Sequence, residues 1–354
     1  MSQTTMTIDA DPAHPWPLAE QPRDLGRFEL VLGPDKRLDL RQFLQATATD
    51  AFLVLVDGRI VHESYGNGQD PGAPHMLRSV SKAITGLVAG ILQYAGRLDP
   101  ETLVSDVVPE VAATSYRGAT LRHLLDMRAG ALFDPATLAT YADATEGDRL
   151  GDFHAFFAGM TEAAGSHGGA FKYDSANTDL LAWAIERVTG QPFAALTSTL
   201  LWKPMGAAAP ALVTVDRHGA PRCAGGLHAT ARDIARLGQL VIDKGCRESR
   251  QVVAPEVIED LWNGGDPQAW KNGEFATGFA ALKLPNMSYR NGWYSVADAP
   301  RMLFAMGTHG QNLFVVPDER LVIVKLSSLA DRLDRRAIAL AHMAVPAIIR
   351  CLRG

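Results

Sequence analysis

Hydrophobic residues fall into two periodicities along this chain, and the change from one to the other divides it. Phe52-Leu-Val-Leu-Val runs into Asp57-Gly58-Arg59, and Ile60-Val-His-Glu-Ser follows. β-Branched apolar runs on both sides of Asp-Gly predict two antiparallel strands joined by a tight turn. The period then lengthens. Ile84, Leu87, Val88, Ile91 and Leu92 recur at i, i+3, i+4, i+7 and i+8, which predicts a helix from about Ser79 to Tyr94 with one apolar stripe, stopped at Gly96. Thr120 is placed to cap a short helix through Leu121, Leu124 and Leu125. A second long helix is predicted from Ser175 to Val188, ended by Gly190, and a third from Ala231 behind Thr230, closing by Gly245. Glycines dominate 129–170 and predict a long loop there.

Strand patterns return near the end. Met302-Leu-Phe-Ala-Met, Leu313-Phe-Val-Val and Leu321-Val-Ile-Val-Lys-Leu, separated by turn residues, read as an antiparallel meander. A last helix is expected from about Asp331 towards Arg350, with Pro346 as a kink or break. Strands at both ends around a helical middle predict an α+β fold. In it one antiparallel sheet is flanked by helices and a mostly helical domain is inserted. The expected divisions are an N-terminal extension over 1–45, an α/β domain over 46–100 and 265–354, and a helical domain over 101–264. The extension is rich in Pro and Asp, shows little periodicity and is expected to wrap the surface.

Composition narrows the function. The 354 residues are 47% hydrophobic and 21% charged, as in globular enzymes. A net charge of −5 without Lys/Arg runs argues against a nucleic-acid or anionic-membrane partner. The first twenty residues have neither the basic start and apolar run of a secretory signal nor the arginines of a transit peptide. Cys223, Cys246 and Cys351 are far apart and odd in number, which predicts free thiols in a reducing compartment. A cytoplasmic location follows as an expectation, with a homodimer left open. The ten histidines show no tight ligand spacing, so no metal is expected, and no Gly-x-Ser-x-Gly elbow is present.

Three short segments carry chemistry. Ser79-Val80-Ser81-Lys82 is the only Ser-x-x-Lys in the chain. The spacing alone is common, but here it opens an apolar helix, where residues three apart share a face. A serine hydroxyl needs a neighbour to take its proton, and a lysine does so only when desolvation or another cation leaves it a neutral amine. Tyr173-Asp-Ser-Ala-Asn lies between the glycine-rich loop and the next helix, so Tyr173 could share that proton, with Ser175 or Asn177 holding the network. Ala305-Met-Gly-Thr-His-Gly-Gln ends a strand in glycine, where backbone N–H groups can approach a bound carbonyl. Each has a plain alternative: a capping serine beside a solvated lysine, a half-buried aromatic, a hairpin turn whose His309 bonds backbone.

In this order the three segments resemble the penicillin-recognising serine hydrolase family of class C β-lactamases, DD-peptidases and related esterases. Leu77-Arg-Ser-Val-Ser-Lys, Leu121-Arg-His-Leu-Leu-Asp-Met, Tyr173-x-Ser-x-Asn-Thr-Asp, Gly225-Gly-Leu-His-Ala-Thr-Ala-Arg-Asp and Gly307-x-His-Gly-Gln are most similar to its 6-aminohexanoate-dimer hydrolase (nylon oligomer hydrolase) branch. The resemblance covers roughly 50–330. It implies a β-lactamase/transpeptidase-like fold, Ser79 as acylated nucleophile, Lys82 as base and Tyr173 as shared acid/base. The backbone N–H groups of Ser79 and Thr308 would form the oxyanion hole. Tyr141 would be the loop tyrosine that closes over substrate, with Ser175, Asn177, Gly307 and His309 as further substrate contacts, and no metal or cofactor. Ala305 stands where β-lactamases and DD-peptidases carry the lysine of Lys-Thr-Gly, and Ser175 where many carry asparagine. Both departures point from β-lactams towards less acidic substrates. Hydrolysis of small amides is therefore the leading expectation. Carboxylesterase or acyltransferase activity on the same site is next, and β-lactamase or DD-peptidase activity last.

Overall fold

The computed structural model describes residues 4–145, 150–284, 286–298 and 300–353. Its core is a seven-stranded antiparallel sheet. In chain order the strands are β1 (Thr49–Val56), β2 (Arg59–Tyr65), β3 (Met287–Arg290), β4 (Trp293–Val296), β5 (Met302–Gly307), β6 (Gln311–Val316) and β7 (Leu321–Ser327). They lie in the order β3-β4-β5-β6-β7-β1-β2, so the first hairpin docks beside the last strand of the meander. The sheet is buried on both faces, and the alternation along each strand shows which side chain goes where. Ala51, Leu53, Leu55, Leu313, Val322 and Val324 enter one core, with helices α1 (Ser81–Tyr94), α2 (Ser175–Thr189) and α3 (Ala231–Ile242). Phe52, Val54, Phe304, Phe314, Leu321 and Ile323 enter a second core, covered by α4 (Arg335–Arg353).

The predicted punctuation is present. Asp57 and Gly58 turn the first hairpin at φ +53° and +71°. Thr120 and Thr230 accept backbone N–H groups at their helix starts, and Gly190 closes α2 at φ +67°.

Several expectations are corrected. Within the glycine-rich stretch two helices form, Pro135–Thr145 and Phe153–Ala158, because the apolar faces of Tyr141, Phe156 and Phe157 pack against each other. The β3–β4 hairpin is unannounced by the periodicity, but it turns on Asn291-Gly292, both at positive φ, a type I′ signal. The first 45 residues carry regular structure: Thr5–Ile8 pairs with Ala211–Thr214, and Leu30–Gly33 pairs with Lys36–Leu38. The last helix starts at Arg335 and runs through Pro346.

Helix α1 also departs from a one-sided stripe. Residues 81–90 are buried without a break. The β3–β4 turn presses directly on its backbone: a Cβ on Gly86 would lie 1.7 Å from Asn291 O, and one on Gly292 would lie 2.2 Å from Lys82 O. This contact encloses the helix start, Lys82 included.

Candidate active site

Ser79 sits in a 3₁₀ turn, Arg78–Val80, that leads into α1. Arg78, just before it, has φ +49°, a conformation that costs energy for a residue with a Cβ and clusters at functional sites. From the first turn of α1, Lys82 reaches back. Its Nζ lies 3.0 Å from Ser79 Oγ, 3.1 Å from Ser175 Oγ and 2.7 Å from Ala224 O. Only 2% of the lysine is exposed. Burial, then the nearby Arg222 guanidinium, pushes its ammonium down to about 7, against a weaker pull upward from Asp179 and Asp174. The shift favours the neutral amine, the state in which it takes a proton.

Tyr173 approaches from the segment before α2. Its backbone N–H donates to Glu274 Oε1 at 2.5 Å, and its ring packs 5.5 Å from Phe275 and 4.9 Å from Lys82 Nζ. Burial pushes its hydroxyl up to about 12, opposed by a hydrogen bond with Ser79 and by Arg222. The phenol is therefore a proton donor at neutral pH, linked to the same serine. Asp174 caps α2, and burial raises its carboxyl to about 6.

Beside these groups β5 brings Gly307 and Thr308. A Cβ on Gly307 would lie 2.9 Å from Ser79 N, so only glycine lets this strand come alongside Ser79. The backbones of Ser79 and Thr308 thus border one cavity of about 640 Å³. Phe133, Leu138, Tyr141, Met306 and Leu333 give it apolar walls, while Lys172 and Arg222 bring positive charge.

Ser79, Tyr173, Ser175, Gly307, Thr308, His309 and Tyr141 all line this cavity, and Lys82 lies behind Ser79. His309 does so with its Nδ1 2.7 Å from Leu329 O, so the ring is tied to backbone through a protonated Nδ1. One expected contact is corrected, and one keeps its place at the cavity in a different setting. Asn177 does not reach the cavity: it is 1% exposed and accepts from the Tyr116 hydroxyl at 2.9 Å, since its position in α2 faces the core. Tyr141 stands on the Pro135–Thr145 helix rather than a loop, and its hydroxyl donates to Asp179 at 2.7 Å.

Asp179 and Arg222 are the residues that sequence reasoning missed. Arg222 pairs with Asp179 at 2.6 Å, and Asp179 accepts the Ala224 N–H at 2.7 Å, which holds the carbonyl that Lys82 uses. An Asp inside the buried face of α2 was the available signal.

A β-lactamase family model matches residues 36–346. The chain belongs to the β-lactamase family. A 6-aminohexanoate-dimer hydrolase of Paenarthrobacter ureafaciens is 38% identical over 302 residues, covering 83% of this chain and 76% of that protein. This β-lactamase-family member is thus a hydrolase with the β-lactamase/transpeptidase-like fold. The solved structure of a Bacillus anthracis protein, provisionally described as a 6-aminohexanoate-dimer hydrolase, superposes with TM-score 0.86 at 24% identity, covering 99% of this chain and 92% of that one. A family VIII carboxylesterase superposes with TM-score 0.63 at 16% identity, covering 87% and 96%, which shows shared fold alone. Among the described residues, no helix is long and apolar enough to cross a membrane, and no three His, Cys, Asp or Glu side chains converge as metal ligands.

Proposed function

We propose that this hydrolase cleaves small amides, of the linear 6-aminohexanoate-oligomer kind, through an acyl-enzyme on Ser79. The observation that carries this reading is the 3.0 Å approach of a fully buried Lys82 amine to the Ser79 hydroxyl. In the neutral state Lys82 accepts the Ser79 proton as Oγ bonds to the substrate carbonyl carbon. The carbonyl electron pair moves to oxygen, which the Ser79 and Thr308 N–H groups would stabilise. As the C–N bond breaks, Tyr173 gives its proton to the leaving nitrogen and regains one from Lys82. Water then attacks the ester by the same route in reverse, and the acid departs.

The apolar walls suit an unbranched aliphatic chain, and the curated relative's substrate has that character. At the β-lactamase lysine position, Ala305 is 1% exposed and packed in the first core, so that cation has no counterpart on the strand.

The test compares linear 6-aminohexanoate dimer, p-nitrophenyl acetate and a chromogenic cephalosporin, with Ser79 labelled by a fluorophosphonate and located by mass spectrometry. Turnover of the dimer with Ser79 modified is expected. Turnover of the ester alone would replace the amidase reading by the carboxylesterase one, and a product diverted by added amine would make it an acyltransferase.

A further inference from the structure

A second lysine is buried as completely as Lys82 and takes no part in that chemistry. Lys325 lies on β7, at a position where the strand's alternation calls for an apolar side chain into the second core, and it is 2% exposed. Its three donors meet three acceptors: Ser327 Oγ at 2.5 Å, Gly310 O at 3.4 Å and Thr47 O at 3.4 Å. Next to it, Gln311 is 1% exposed. Its Nε2 faces Thr308 O at 3.3 Å, His309 O at 3.2 Å and Ser327 O at 2.7 Å, while its Oε1 accepts the Ser327 N–H at 3.1 Å. Between them, these two side chains hold every carbonyl of the turn Thr308–Gly310.

That turn needs holding. His309 and Gly310 have φ of +60° and +90°, so the backbone is in a conformation that most residues avoid. The His309 N–H to Arg332 O bond at 3.0 Å, the Leu329 bonds and Asn312 Nδ2 on Gly310 O at 3.0 Å restrain it as well. An oxyanion hole demands more than stability. Two N–H groups from separate segments must converge within about 3 Å of one developing charge. One would come from Ser79, in the 3₁₀ turn before α1, the other from the first residue of this turn.

We propose that Lys325 and Gln311 are positioning residues for the oxyanion donor at Thr308, holding the turn's carbonyls from beneath so that its N–H meets the same oxygen as that of Ser79. This rests on the acyl-enzyme reading. Burial also pushes the Lys325 ammonium down to about 7. Asp50, the acid that opposes this, is already bonded to His75, Asn67 and Ser328. The lysine is therefore held by neutral acceptors alone, an arrangement that carbonyl positioning explains and ion pairing does not.

The experiment measures p-nitrophenyl acetate hydrolysis and the affinity of phenylboronic acid in the wild type, Lys325→Met and Gln311→Met. Ser79 Oγ adds to boron while its proton passes to Lys82, giving a tetrahedral anion with one oxygen in the oxyanion hole. For both variants kcat is expected to fall about tenfold, less than the 10²–10³ for deleting such a donor outright. KM should change little, the boronate should weaken in proportion to kcat, and the rising pH limb should stay in place. A variant that melts earlier but keeps kcat and boronate affinity overturns the proposal and leaves a structural role. Should Lys325→Met not fold, Gln311→Met carries the same test. Wild-type protein that hydrolyses nothing and leaves Ser79 unlabelled would overturn the acyl-enzyme reading instead, a separate result.

Discussion

Lys82 and Lys325 have the same burial and the same downward push to about 7, yet only one has something to do with a neutral amine. Lys82 faces the hydroxyl of Ser79 at the edge of an open cavity, with a phenol next to it. Lys325 faces two backbone carbonyls and a serine hydroxyl inside the sheet. Desolvation makes a lysine able to accept a proton. A partner with a proton to give, and a substrate that can arrive, make it a base. The perturbed value is shared by both residues, and the geometry separates them.

The strongest way to break this comparison is to substitute both lysines alike. Lys82→Met should lower kcat/KM by roughly 10⁴–10⁶, the scale of losing one member of a nucleophile–base pair. Lys325→Met should lower it about tenfold, less than the loss of an oxyanion donor. Equal losses in steady-state assays, with both proteins folded, would mean that the two lysines do not differ in role. Tyr173→Phe comes next. Removing a proton-transfer group costs about 10²–10⁴, and the loss should be larger on the amide than on p-nitrophenyl acetate, whose leaving group departs without a proton. An equal loss on both would remove Tyr173 as the donor to the leaving group.

Much of the Lys82 site was legible in the sequence, and almost none of the Lys325 site was. Ser79 and Lys82 are three residues apart on one turn, so local geometry brings them together whatever the rest of the chain does. Gly307 and Thr308 were legible as a strand end. Lys325 reads in the sequence as one polar residue in the run Leu321–Ser327. Its place under the turn depends on the β6–β7 register, which sets it opposite Asn312. Sheet register across separate strands is not written in any one of them. Asn177 failed for a related reason: the motif placed it near Tyr173, but the rotation of α2 turned it to Tyr116 and brought Asp179, two residues on, to Arg222. Burial of Lys82 was a requirement of the chemistry read into it. Its cause is the Asn291-Gly292 turn lying on Gly86, a contact across 205 residues of chain.

The pH dependence sharpens the comparison further. On the proposed mechanism kcat/KM should rise as pH passes through about 7, because Lys82 would have to lose its proton before taking one from Ser79. Arg222→Gln should move that limb to higher pH. It removes the cation that disfavours the Lys82 ammonium and leaves Asp179 to favour it, so both effects raise the lysine. Lys325→Met should leave the limb where it is. A limb that moves with Lys325 and stays fixed with Arg222 would assign the kinetic titration to the wrong lysine.

The smallest effect is one that the two lysines share. Each has a folded-state value near 7 and an ordinary value of 10.5 in the unfolded chain. Between those limits the unfolded chain binds more protons, so the stability of the fold rises with pH across this window and falls back as pH drops through 7. Each lysine contributes a slope on the order of 1 kcal/mol per pH unit, greatest near pH 8–9. Urea unfolding from pH 7 to 9 should show that slope reduced by a similar amount in Lys82→Met and in Lys325→Met, although their kinetics differ by orders of magnitude. Proton linkage counts how deeply an ammonium is buried and ignores what it touches. An unchanged slope in either variant would show that this lysine keeps its proton in the folded chain, and for Lys82 that would leave Ser79 without a base.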